Sequence, residues 1–116
     1  MPTETPFEVT SASVEDLVAR ASETPVLDAS QQARLAARLK GGQQDALSEL
    51  IEAHLRVAVD EAIRNRGLGL PQDVLVREAA RALVACAPVY DPDRHGSFAR
   101  YARRKIRAAI QGALGF

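Results

Sequence analysis

The sequence predicts an all-α fold, a small bundle of about five helices. Three observations carry that prediction. Apolar residues recur at three- and four-residue steps in the segments between residues 14 and 114. No strand-type alternation, internal repeat or low-complexity tract competes with that period. The helix-breaking residues cluster between the periodic stretches, in ETPVLD, KGGQ, RGLGLP and YDPDRHG.

Each element follows from its own local signals. Residues 1 to 12 are polar, proline-containing and aperiodic, which predicts a disordered lead-in to a helical domain of residues 13 to 116. Ser13 is placed to cap a first helix through VEDLVARA, with Asp16 at the capping-box position. Pro25 lacks an amide donor and disfavours helix at the residue before it, so the helix ends there. A second helix spans about residues 30 to 39 and stops at Gly41 and Gly42. The third is longer, because Leu47, Leu50, Ile51, His54, Leu55, Ala58 and Ala62 recur along one stripe from Gln44 onward. Pro71 suits the first turn of a fourth helix through DVLVREAARALVACA, which runs to Pro88. Ser97 caps the fifth.

On that last helix two faces stand opposite one another at 100° per residue. Phe98, Tyr101, Ala102, Ile106, Ala109, Ile110 and Ala113 form the apolar one. Arg100, Arg103, Arg104, Arg107 and Gln111 form the other. The expected core comprises Leu47, Leu50, Ile51, Leu55, Leu75, Leu83, Phe98, Ile106 and Ile110. Glu49, Asp60 and Glu61 are expected to face solvent.

Composition limits the functions available. With 116 residues, 47% of them hydrophobic, the chain suits one domain with a modest core and little room for an enclosed active site. The formal charge of zero hides an asymmetry: residues 1 to 33 hold six acids against Arg20, and from Arg94 onward there are six Lys or Arg and no acid. A local basic stripe can therefore meet an anionic partner despite the neutral total. No apolar run approaches a membrane span, and MPTETPFEVT lacks the basic and apolar parts of a signal peptide, so a cytoplasmic location is expected. Cys86 is the one cysteine, cannot form an internal disulfide, and reads as an inert core thiol.

Catalysis has no visible basis. There is no nucleophile beside a base, no paired carboxylates and no phosphate-cradling loop, and GGQQ and GLGL read as helix stops. Neither an enzyme nor a cofactor is expected. One cysteine and two separated histidines give no metal-ligand spacing; His54 lies on an apolar stripe and reads as packed, His95 as a loop residue.

Taken in order, PVLDASQQARLAARL, a glycine stop, DALSELIEAHLRVAVDEAI, RGLGLP, a helix carrying Glu78, YDPDR and F-x-x-YA-x-x-x-IR-x-AI resemble the bacterial sigma factors, the subunits that direct RNA polymerase to promoters. The likeness is to the primary type of the sigma-seventy family, from region 1.2 through region 2, and covers residues 13 to 114. It implies RNA polymerase core and promoter DNA as partners. Family members dock on a basic coiled coil of the polymerase clamp through an acid, a glutamine and a glutamate, and the matching positions hold Val74, Arg77 and Glu78. Arg77 would face a basic surface, so a weakened clamp contact is expected.

The resemblance also implies a DNA-contacting set of Arg94, Phe98, Arg100, Tyr101, Arg103, Arg104, Lys105 and Arg107. Phe98 and Tyr101 match aromatics that capture unstacked bases, although both read equally well as core. The family's tryptophan wedge is replaced by Arg104 and Lys105, and another aromatic position holds Gly96. Stacking contributes about 1 to 3 kcal/mol per base, so a chain short of these platforms is expected to hold DNA more readily than it opens it. The alternative from another class is a protein-interaction module that imitates a sigma factor to bind a regulator such as an anti-sigma factor.

Overall fold

The structure, a computed structural model, describes residues 8 to 115. Among these, seven α-helices and a short 3-10 turn account for all the regular structure, and no strand is present. The helices are α1 (Val14–Glu23), α2 (Ala29–Lys40), α3 (Gln44–Ala53), α4 (Leu55–Arg64), α5 (Gln72–Cys86), α6 (Pro92–His95) and α7 (Phe98–Leu114), with the 3-10 turn at Ala87–Val89. The all-α expectation is met. The count exceeds five because the long third helix divides and the YDPDRHGS turn contains a helical turn of its own.

The division has a local cause. In a continuous helix the Leu50 carbonyl would accept the amide of His54; instead it accepts the ring Nδ1–H of His54 at 2.8 Å. The His54 amide shifts to the Ile51 carbonyl at 3.1 Å, and the backbone there leaves helical values at φ −115° and ψ 13°. α4 starts afresh at Leu55 and packs on α1, α5 and α7 at once.

Caps fix the helix starts. The Ser13 hydroxyl accepts the Asp16 amide at 3.1 Å, and the Ser97 hydroxyl accepts that of Arg100 at 3.3 Å. Asp28 and Gln31 make a full reciprocal capping box on α2, at 2.8 and 2.9 Å. α7 ends where Gly115 turns to φ 89°, a left-handed value that only glycine takes without strain.

α5 is the central helix, packed between α4 and α7, while α2 rests on α3 at the periphery. Ala58, Ala62, Ala79, Ala80 and Ala102 are all buried, and their small side chains allow close helix approach. Leu17, Leu50, Leu55, Leu75, Leu83, Phe98, Ile106 and Ile110 fill the space between. Leu47 and Ile51, expected in the core, are half-buried against it. Ala113, expected on the apolar face of α7, is exposed at the helix end.

Residues 1 to 7 of the expected lead-in lie outside the described residues. From Glu8 the chain turns, with the Ala12 amide on the Glu8 carbonyl at 3.0 Å, and Val9 is buried on the core. A single apolar side chain has no period, so nothing in the local pattern marks Val9 as a core residue.

Candidate nucleic-acid interface

α7 is buried along one stripe and basic along the other. Phe98, Tyr101, Ala102, Ile106 and Ile110 face the core, so the 100° rotation per residue sends Arg100, Arg104 and Arg107 outward, all exposed. Lys105 is exposed too, but it leaves the helix on the Tyr101 side, its Nζ 5.8 Å from the centre of that ring. Arg94, on the short α6 just before, is exposed as well. The side chains of Arg100 and Arg104 make no ion pair or hydrogen bond among the described residues.

Two of the arginines differ from the rest. Glu61, expected at the surface of its helix, is 2% exposed and sits on the packed side of α4 with Ala58 and Ala62. Its Oε1 accepts Arg107 at 2.9 Å and lies 3.6 Å from Arg103 Nε. An acid survives burial only when paired, and here the partners reach in from α7, 42 and 46 residues further along the chain. That corrects the solvent-facing assignment of Glu61, and with it the picture of a basic face without an acid to balance it. The hydrogen bond to Glu61 pushes the Arg107 guanidinium above its ordinary value.

The aromatics at the start of α7 are packed inward. Phe98 and Tyr101 are each 2% exposed, and the Tyr101 hydroxyl donates to the Cys86 carbonyl at 3.0 Å. His95 is stacked on the Tyr101 ring at 4.4 Å between centroids, and Tyr90 meets Phe98 edge-on at 5.0 Å. His54 closes the far end, 4.7 Å from Phe98 and nearly perpendicular to it. These rings form one packed cluster beneath the start of α7. Of the two readings of Phe98 and Tyr101, the core one describes their packing in this fold: an apolar period shows that a face is buried, but not what covers it.

His95 also holds the preceding turn, its Nδ1 accepting the Asp91 amide at 2.9 Å, so it is integrated where a free loop residue was expected. Burial lowers the His54 pKa below the ordinary histidine value, offset in part by its bond to Leu50. Burial likewise pushes the Cys86 thiol up to about 11. Burial raises Tyr101 too.

The start of α5 presents a second surface. Val74 and Arg77 are exposed there and Glu78 is half-buried, on one helix face by their spacing. Glu78 lies 3.5 Å from Arg81, and Arg77 reaches back to donate to the Ala12 carbonyl at 3.3 Å. Beside them a groove of about 540 Å³ separates α1 from α5, lined by Val14, Glu15, Val18, Ala19, Asp73 and Arg77. Among the described residues no group of His, Cys, Asp or Glu could hold a metal ion, and no helix is long and apolar enough to cross a membrane.

No family model matches the chain. Curated relatives do. The RNA polymerase sigma factor RpoS of Coxiella burnetii is 33% identical over 90 residues, 78% of this chain and 26% of that protein. RpoH of Rhizobium radiobacter is 34% identical over 88 residues, 75% of this chain and 29% of its own length. The sigma-C factor of Myxococcus xanthus is 32% identical over 93 residues, 80% of this chain and 32% of the relative. The chain thus spans about a quarter to a third of the length of the relatives it matches. A helical bundle of this order of elements, matched over three quarters of its length or more by several sigma factors, belongs to the sigma-seventy family and corresponds to part of the full-length factors.

Proposed function

We propose that the chain is a sigma-factor-like transcription regulator that engages RNA polymerase core, promoter DNA or both, with the exposed basic face of α7 as its DNA-contacting surface. The observation that carries this reading is the run of outward cations Arg100, Arg104 and Arg107, flanked by exposed Lys105; Arg100 and Arg104 make no side-chain ion pair or hydrogen bond among the described residues. Phosphate contacts of this kind position a protein on DNA without reading its sequence. Poor promoter melting follows in the same reading. Extruding a base costs a few kcal/mol, and the wedge positions hold the exposed cations Arg104 and Lys105 while Phe98 and Tyr101 are committed to the core.

Fluorescence anisotropy of labelled duplex and single-stranded DNA across a salt series tests the reading. Binding to duplex at low salt, weakening steeply as salt rises, is the expected result. If neither DNA form binds, the basic face is only a solvated surface.

A second reading draws on the groove between α1 and α5. Its apolar floor of Val14 and Val18, with exposed Val74 close in sequence to Asp73 and Arg77, favours a protein partner, either the polymerase clamp or a regulator such as an anti-sigma factor. Pull-down of the full chain with purified polymerase core, compared with candidate anti-sigma proteins, separates these partners.

A further inference from the structure

We propose that Glu61 acts as a built-in counter-charge for the basic face of α7 and so limits how many of its cations a polyanion can engage. The inference rests on reading that face as phosphate-contacting. Glu61 is 2% exposed, so its carboxylate cannot move out to solvent, while the side chains of Arg103 and Arg107 are 43% and 45% exposed. The two guanidiniums therefore lie between a buried anion and the outside. Any phosphate that approaches them competes with an acid already in place at 2.9 and 3.6 Å.

The charge balance makes the consequence countable. One carboxylate against two guanidiniums leaves a single net positive charge, so Arg103 and Arg107 together should release about one counterion where two free arginines would release about two. Arg100 and Arg104, which form no ion pair among the described residues, count in full. Glu61 thus acts on DNA through its neighbours and is a positioning residue. A purely structural role would alter stability and leave the salt dependence where it was.

The test uses the full chain and a labelled DNA duplex across a salt series, with circular dichroism to verify each variant's fold. Glu61→Gln should steepen the slope of log affinity against log salt by about one. Lowering salt from about 200 to about 50 mM should then raise its affinity roughly 3.5-fold more than it raises that of the wild type. Arg100→Gln with Arg104→Gln should make the slope shallower by about two. The triple variant Glu61→Gln, Arg103→Gln and Arg107→Gln leaves no buried charge unpaired, so it carries the test if Glu61→Gln does not fold, and its slope should be shallower by only about one. A wild-type slope in Glu61→Gln, or a loss of two in the triple variant, overturns the counter-charge and leaves the phosphate face standing. Absence of duplex binding in every variant at low salt, or a wild-type slope in Arg100→Gln with Arg104→Gln, overturns both.

Discussion

The ring of His54 donates to the carbonyl of Leu50 across 2.8 Å, and this one bond both ends α3 and fixes a buried imidazole against Phe98. Burial holds the His54 pKa below the value of about 6.5 it has in the unfolded chain. Between those two values the unfolded chain binds more protons than the folded one, so stability rises with pH across that window. The contribution is fully present above about pH 6.5 and is lost as pH falls toward the folded pKa.

Urea unfolding at several pH values from neutral to mildly acidic should therefore show a midpoint that drops with acidification. His54→Asn keeps a donor near the Leu50 carbonyl and cannot titrate, so its midpoint should fall less over the same range. Parallel curves for the two proteins would show that other groups carry the pH dependence.

The bond from Tyr101 to the Cys86 carbonyl ties the start of α7 to the end of α5, and both groups are buried. Tyr101→Phe keeps the ring and removes the donor, leaving the carbonyl short of a partner at a cost of about 1 to 3 kcal/mol. Ile106→Ala, at 0% exposure, should cost roughly 2 to 5 kcal/mol through the lost contacts and the residual cavity. Either loss is large for a domain of this size. Chemical denaturation followed by circular dichroism measures both.

Cys86 offers a direct probe of the α5–α7 packing. With its pKa pushed to about 11 by burial, hardly any thiolate is present at pH 8, and the thiolate is the reactive form. Iodoacetamide should label the folded chain far more slowly than the urea-unfolded one. Equal rates in the two states would mean that the thiol is accessible and the packing loose.

The main helices were legible because each carries its own period and its own cap; Ser13 and Ser97 could be read as starts from their positions alone. What escaped depends on partners that a local pattern does not contain. The break at His54 comes from a side chain taking a backbone acceptor, while the apolar stripe runs through it undisturbed. Glu61 resembles its solvent-facing neighbour Asp60 until α7 is laid across it, although its place three residues after Ala58 and one before Ala62 marks the packed side. The basic face of α7 was visible in full, and its partial neutralisation was not, because the balancing acid lies on another helix.

The surface at the start of α5 gives the sharpest test of partner choice. Arg77 is exposed, and the hydrogen bond from its side chain to the Ala12 carbonyl, at 3.3 Å, is long and solvent-accessible, so replacing it should disturb the fold little. Val74 is also exposed, and an acid there falls in the first turn of α5, where the helix dipole favours negative charge. Val74→Asp with Arg77→Gln therefore removes a cation and adds an acid beside Glu78 with no expected loss of stability. If this face meets a basic clamp helix, the double variant should bind polymerase core at least several-fold more tightly than the wild type, and Glu78→Ala should reverse the gain. Binding of labelled chain to purified polymerase core measures both. No gain in the double variant would mean that the face serves a different protein, and the groove beside it would then be the place to map that contact by substituting Val18.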